Sequence, residues 1–182
     1  MRFCLLLTSY CLLVFTSSCK PKTDYTKEIA RLDSAATALK NAEINFISAD
    51  TNAFRSAFAF SQKKLQFISE KVSKDTVKKK LAILLSDAYE HTGNLQNILE
   101  NKKFLQRALT EGRQRINDLK HDLAADLIEK NKSLEYVVNE IESSRKLSEA
   151  ANKTVEKAKT AMLKLDSLKT KITALADSLN SK

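Results

Sequence analysis

The chain is poor in the residues that make tight turns. It contains two glycines and one proline among 182 residues, whereas average usage of these residues is about 7% and 5%. Sandwiches, barrels and α/β sheets need many turns, and glycine and proline supply the backbone conformations that most turns require. Tryptophan is absent, and aromatic residues make up 7% of the chain while charged residues make up 29%. This composition excludes most enzyme folds and favours long helices.

Cysteine is also scarce, and the positions of the three cysteines are informative. Cys4 and Cys11 lie in the mostly apolar segment 3–15, and Cys19 follows it. About 13 apolar residues are typical of the core of a signal peptide, whereas a membrane-spanning helix needs about 20. We therefore expect a signal peptide at 1–18, which leaves Cys19 as the only thiol of the mature chain. A lone thiol forms no intramolecular disulfide, so Cys19 needs another role.

The small residues Thr16, Ser17 and Ser18 before Cys19 resemble the lipobox of bacterial lipoproteins, although that family usually has leucine at the position of Thr16. The resemblance implies that Cys19 carries a diacylglyceryl group and an amide-linked acyl chain, and two or more acyl chains anchor a protein stably. Lys20 is not the aspartate that resembles an inner-membrane retention signal in enteric bacteria, which favours an outer-membrane anchor facing the periplasm. The alternative is ordinary cleavage that leaves Cys19 unmodified.

Apolar residues recur at spacings of three and four along the mature chain, which is typical of helices with one buried stripe. These stripes predict an all-α fold with helices at about 24–47, 52–72 and 75–91. Asp24 is expected to cap the first helix and Ser73 or Asp75 the third, because short polar side chains bond free backbone N–H groups. A turn is predicted at 48–51, and a helix end at 92–94, where glycine precedes asparagine.

One register of apolar residues continues beyond Asn94. It is formed by Leu95, Ile98, Leu105, Leu109, Ile116, Leu119 and Leu123, and it goes on through Leu127, Leu134, Val138 and Ile141. Gly112 falls on this line, and we expect it to permit the close approach of another helix rather than to end its own. Bends are predicted at 131–133 or in the polar stretch after Glu142, so a continuous rod and a hairpin both stay open.

Aromatic residues divide the mature chain into two parts. Its phenylalanines lie between Phe46 and Phe104, and its last aromatic residue is Tyr136. Bulky aromatics suit the core of a bundle, whereas small aliphatic residues suit a narrow coiled-coil seam. After a lipid-anchored linker at 19–23, we therefore expect a bundle of about three to four helices at 24–130. A coiled-coil-like arm at 131–182, either a long helix or a helical hairpin, would fold back on the bundle or pair with a second copy.

Few side chains suggest a reaction centre. His91 is expected at the end of the third helix, and His121 lies near Asp118, Asp122 and Asp126, which recur every four residues. A metal site needs about three or four converging ligands, so we interpret these carboxylates as a solvated helix face rather than a cation site. Phosphate-binding loops, zinc-protease motifs and a Ser/His/Asp pattern are absent from the sequence. The sequence predicts no enzyme, no metal and no cofactor.

The chain is basic, and this charge is informative about its binding partners. The formal net charge is +9, with lysine- and arginine-rich runs at 63–80 and 102–115. An exported chain meets little nucleic acid, so a plain solvated surface is the favoured interpretation, and anionic headgroups or cell-wall polymers are the alternative.

A lipidated N-terminus, a heptad-like helix and Lys182 at the C-terminus resemble the murein lipoprotein, whose terminal lysine is linked to peptidoglycan, although Asn180-Ser181 departs from its ending.

The leading expectation is a lipid-anchored, non-catalytic scaffold, spacer or adaptor of the cell envelope. Its anchor would be acylated Cys19, and its C-terminal helix would contact a protein partner or a second copy. One alternative is a module that binds an apolar ligand or a cation in a pocket behind Phe54, Phe58 and Phe67. Another is an envelope tether attached through Lys182.

Overall fold

The computed structural model describes residues 23–72 and 79–181. These residues form four helices, which are α1 (Thr26–Ile47), α2 (Thr51–Lys71), α3 (Lys79–Ala124) and α4 (Lys130–Asn180). No strand occurs in the described ranges, so the predicted all-α fold with a long C-terminal helix is confirmed. The signal segment, Cys19, the expected caps Ser73 and Asp75, and Lys182 lie outside the described residues.

The helices form a rod-shaped three-helix bundle, in which α3, α4 and the consecutive helices α1 and α2 each make one pass along the rod. We call these three passes the layers of the rod. α3 and α4 pack along each other in opposite directions, while α1 covers one half of this pair and α2 the other half. At one end, the Tyr25 hydroxyl donates to the carbonyl oxygen of Ile128 over 3.2 Å. In the other half, the Tyr89 hydroxyl of α3 donates to the carbonyl oxygen of Leu65 over 3.3 Å. α1 and α2 therefore lie end to end, and together they act as one interrupted helix.

The two ends of the rod differ in what they contain. The turn end holds the start of α1 and the connection between α3 and α4 at 125–129. The C-terminal end holds the ends of α2 and α4. Because α4 has 51 residues and a helix rises 1.5 Å per residue, the rod is about 76 Å long.

Local side-chain bonds set the starts of α1 and α2. The Asp24 carboxylate accepts from the backbone N–H and the hydroxyl of Thr26, over 3.0 Å and 2.6 Å, and these bonds lower the pKa of Asp24. Asp50 accepts from the N–H groups of Asn52 and Ala53, over 3.1 Å and 2.9 Å. These bonds satisfy donors that a helix start leaves free. The N-cap position of α1 is Tyr25 rather than the predicted Asp24, which bonds the first turn from one residue earlier. The predicted turn before α2 is confirmed.

The predicted helix end at 92–94 is wrong, because α3 runs without interruption from Lys79 to Ala124. Gly93 does not adopt a positive φ, and the hydroxyl of buried Thr92 donates to the Ala88 carbonyl oxygen over 2.7 Å. Leu95 and Ile98 are fully buried one turn further on. The free energy gained by burying these two side chains outweighs the roughly 1 kcal/mol that a mid-helix glycine costs, so the helix continues through Gly93.

The chain reverses at 125–129, just before the bend predicted at 131–133. Here the N–H of Leu127 donates to the Asp122 carbonyl oxygen over 2.9 Å, and the N–H of Asp126 donates to that of Leu123 over 3.1 Å. This pair of bonds is a Schellman motif, which needs a left-handed residue at its centre. Asp126 takes that conformation with φ 54°. The connection makes α3 and α4 a hairpin, so a continuous rod from residue 94 onwards is excluded.

The polar stretch after Glu142 does not interrupt α4, which is continuous from Lys130 to Asn180. Ser144, Ser148 and Ala151 are buried in this stretch, and Ser148 also borders a groove of about 500 Å³ with Ala35 and Ala38 of α1. The apolar pattern weakens at this point because small side chains, rather than large aliphatic ones, occupy the buried positions of α4.

Gly112 lies where three helices meet. A Cβ atom at this position would lie 3.2 Å from Leu39 Cδ1 of α1 and 3.3 Å from Leu147 Cδ2 of α4. Gly112 is buried, and its missing side chain leaves the space that the two leucine methyl groups occupy. The prediction that this glycine permits close approach is confirmed.

The two glycines of α3 provide a matched pair of alanine substitutions. Each substitution removes a propensity cost of about 1 kcal/mol, but a Cβ at Gly93 meets nothing within 4 Å. We expect Gly93→Ala to raise the free energy of unfolding by about 1 kcal/mol. Gly112→Ala should gain less or lose stability, because moving packed leucines costs about 1–3 kcal/mol. Urea denaturation followed by circular dichroism measures both, and equal stabilisation would contradict the close packing at Gly112.

The left-handed residue at the α3–α4 turn predicts a stabilising substitution. The left-handed conformation costs an L-residue about 1–2 kcal/mol that glycine does not incur. Asp126→Gly should therefore raise the free energy of unfolding by about 1 kcal/mol. Asp122→Gly, inside α3, is the control and should lower it by a similar amount. Thermal unfolding of the two variants checks this, and destabilisation by Asp126→Gly would show that the turn has another geometry.

Candidate functional site

The carboxylates of the candidate cation face do not converge. Asp118 is exposed and accepts from the Gln114 side-chain amide over 2.7 Å. Asp126 lies beyond the end of α3 in the left-handed turn, so it does not continue the line of Asp118 and Asp122. Within the two described ranges, no group of three or more His, Cys, Asp or Glu side chains is placed to hold a metal ion.

The two histidines do not form a site together. They lie 30 residues apart in the sequence on the single helix α3, which corresponds to about 45 Å. His121 is exposed in the last turn of α3. His91 lies in the middle of α3 rather than at a helix end, which corrects the predicted position, and its Nδ1 has no hydrogen-bond partner among the described residues.

The three phenylalanines of the expected pocket have different surroundings. Phe54 is among the fully buried core side chains, and Phe67 packs against the core from its edge. Phe58 borders a groove of about 350 Å³ between α2 and α3, together with Leu65 and Tyr89. The three rings therefore do not line one common pocket.

A second groove lies between α2 and α4 in the C-terminal half. Its volume is about 450 Å³, and it is lined by Ala53, Ser56, Ala57, Phe60, Ser61, Met162, Leu163, Leu165, Asp166 and Lys169. The Lys169 ammonium lies 5.3 Å from the centre of the Phe60 ring, within range of a cation–π interaction. This α2–α4 groove falls within the 300–1,000 Å³ of typical ligand clefts, but it is open along the surface.

Charged side chains connect the helices. Arg113 of α3 pairs with Glu43 of α1 over 2.6 Å, and Arg115 pairs with Glu140 of α4 over 3.2 Å. Lys102 donates to the Thr51 hydroxyl over 3.0 Å. Because Lys102, Arg113 and Arg115 bond to side chains of neighbouring helices, the basic run at 102–115 does not form a single basic patch. Surface pairs contribute little stability each, but together these pairs favour one register of α3 against its neighbours.

A charged cluster marks the middle of α4. Arg145 bonds Glu142 over 2.8 Å and Glu149 over 2.6 Å. The hydrogen bond from Arg145 lowers the pKa of Glu142 to about 2. One turn further on, the Asn152 side chain accepts from the Asn45 amide of α1 over 2.9 Å. These groups pair with one another, so we interpret them as structural contacts rather than as reactive groups.

The turn end exposes aliphatic side chains that the sequence pattern predicts to be buried. Leu127 is 69% exposed and Leu134 is 55% exposed, and Val138 is exposed as well. We call these three the turn-end apolar residues. The buried line of α4 runs instead through Ser133 and Val137. The sequence prediction continues the apolar line of α3 from Leu127 to Leu134, seven residues on, and to Val138, four residues further. Because the chain reverses between α3 and α4, the register of α3 does not apply to α4, and the prediction that these side chains are buried is wrong.

The start of the described chain lies beside these residues. Tyr25 is 5% exposed, and its hydroxyl bond to Ile128 ties the start of α1 to the α3–α4 turn. Thr23 and Asp24 border a shallow groove with Leu123 and Ala124 at the end of α3. The turn end thus brings together the N-terminal side of the chain and the exposed Leu127 of the hairpin, a juxtaposition that the linear sequence does not reveal.

Among the helices of the described residues, none combines the length and the apolar character that a bilayer crossing requires. No family model, curated protein or solved structure matches the chain.

Proposed function

We propose that the protein is a lipid-anchored, non-catalytic spacer or scaffold of the cell envelope that acts through helix–helix contacts. The observation that carries this proposal is the position of the two chain ends. The described chain begins at the turn end and finishes with α4 at the C-terminal end, about 76 Å away. An anchor at Cys19 would hold the turn end near the membrane and would place the C-terminal end far from it.

The packing of the rod supports a spacer. The apolar stripes of α3 and α4 are covered by α1 and α2 along both halves, so the long helices need no second copy for their burial. Buried residues recur along α4 from Ser133 to Ala176. A helix pair covered along its length keeps a fixed distance between its ends, which is the property that a spacer requires.

The proposed location follows from the N-terminal sequence. The signal segment at 1–18 and the resemblance to a lipobox at Cys19 indicate export and acylation, and Lys20 favours the outer membrane with the protein facing the periplasm. The acyl chains on Cys19 would supply the membrane contact.

Two alternative functions fit the same orientation. A small apolar ligand would bind in the α2–α4 groove, whose lining includes the aromatic ring of Phe60 and the ammonium group of Lys169. A covalent tether through Lys182 would use the C-terminal end, which this orientation places farthest from the membrane. Either activity would add to the spacer role rather than replace it.

Acylation at Cys19 predicts a labelling pattern. Cells that express the full chain with an alkyne-tagged fatty acid should label the wild-type protein and Cys11→Ala, because Cys11 is removed with the signal segment. Cys19→Ala should carry no label. Intact mass spectrometry of the mature protein should show the loss of residues 1–18 and the added lipid. Equal labelling of Cys19→Ala and wild type would reject the anchor.

The spacer orientation predicts a distance from the membrane. With Cys19 acylated, an introduced cysteine is the only reactive thiol of the mature chain, since Cys4 and Cys11 are removed. A donor dye on Asn180→Cys should show weak energy transfer to acceptor lipids in vesicles, because about 76 Å of helix separates it from the turn end. A donor on Lys130→Cys should show strong transfer. Strong transfer from both positions would contradict the spacer while leaving the anchor intact.

A further inference from the structure

The turn-end apolar residues are exposed to water, and no side chain in the described ranges covers them. Leu127 follows the left-handed Asp126 in the Schellman motif, a position whose side chain commonly packs back onto the end of its helix. The helix residue it would meet is Asp122, a polar side chain, and Leu127 is instead 69% exposed. One turn into α4, Leu134 and Val138 are exposed on one face, four residues apart.

The described chain begins at this end of the rod, close in sequence to Cys19. Three residues separate Cys19 from Thr23, and the four residue steps between them span at most about 14 Å. Thr23 lies beside Leu123 and Ala124, and the bond between Tyr25 and Ile128 fixes α1 against the turn. An acylated Cys19 therefore keeps the α3–α4 turn close to the bilayer surface.

We propose that the turn-end apolar residues insert into the lipid bilayer as a second membrane contact beside the anchor. This inference rests on the proposed acylation of Cys19, which supplies the proximity. Leucine and valine side chains leave water for the acyl-chain boundary, as the apolar faces of interfacial segments do. The contact would hold the rod by two points, and it would limit the rotation and tilt that a single flexible anchor allows.

Charge at the turn points to apolar insertion rather than electrostatic attraction. Lys132 pairs with Glu129 over 2.9 Å, and Lys130 and Asp126 are exposed beside them. Two acidic and two basic side chains thus lie near Leu127 in the sequence, so no excess of positive charge is present among these four. The contact should therefore form on zwitterionic lipid, and it should persist at high salt, which screens charge but not apolar burial.

A second copy of the chain fits this surface less well than a bilayer does. Stable interfaces between proteins bury about 1,200 Å² or more in total. The turn-end apolar residues comprise three side chains, which is too few for an interface of that size. Insertion into a bilayer requires no minimum interface area, because each side chain inserts separately.

The experiment uses the full acylated protein in phosphatidylcholine vesicles. Leu127→Cys is labelled with an environment-sensitive dye, and lipids that carry a quencher near the headgroup are added. The matched control is Leu163→Cys, since Leu163 is also 69% exposed but lies 33 residues from Lys130 along α4, about 50 Å away. We expect a blue-shifted emission and several-fold stronger quenching at 127 than at 163, in low and in high salt.

Each other outcome overturns the inference in a distinguishable way. If the fatty-acid label is present and the emission at 127 shows no blue shift on vesicles, the anchor stands and the insertion is wrong. If the protein carries no fatty acid and stays in solution, the proposed anchor and the insertion both fail. If the blue shift at 127 appears without vesicles and grows with protein concentration, a second copy covers the turn end. Circular dichroism confirms that each labelled protein keeps its helix content.

Discussion

The fold depends on covering the groove between two long apolar stripes. α3 and α4 contain 46 and 51 residues, and neither stripe could stay exposed to water over that length. α1 and α2 contribute 22 and 21 residues, about 65 Å of helix when placed end to end, against about 69 Å for α3. The interrupted third layer is thus long enough to cover the pair. Where the three layers come closest, Gly112 leaves the space for Leu39 and Leu147.

Helix starts that depend on local chemistry could be predicted from the sequence. α1 and α2 begin within two residues of their predicted starts, because Asp24 and Asp50 bond backbone N–H groups two or three residues away. Gly93 gave a false signal, since its cost in a helix is local and small whereas the burial of Leu95 and Ile98 depends on other helices. Asp126 gave almost no signal, because aspartate is only occasionally the left-handed residue at a helix end.

The candidate site was only partly accessible to sequence reasoning. Periodicity identified Gly112 correctly as a contact position, because its neighbours in α3 share one straight helix. It placed Leu127 and Leu134 on the same buried line, since a spacing of seven residues looks identical whether the chain continues or reverses. The true contact line of α4 passes through Ser133 and Ser144, whose small polar side chains do not register as apolar. Which side chains a turn exposes depends on where the chain reverses, and that depends on contacts distant in the sequence.

The number of layers decides where the chain ends lie. Three passes along one axis place the first and last residues at opposite ends, whereas a fourth pass would return the C-terminus to the side of the N-terminus. Here α1 and α2 together make the first pass, because Asp50 interrupts the helix without reversing it. A protein held at its N-terminal side thus projects its C-terminal end by the whole length of α4. If the chain reversed at Asp50 instead, α1 and α2 would form a hairpin about half as long as the α3–α4 pair, and both chain ends would lie on one side. The short capped junction between α1 and α2 therefore places the two chain ends at opposite ends of the rod.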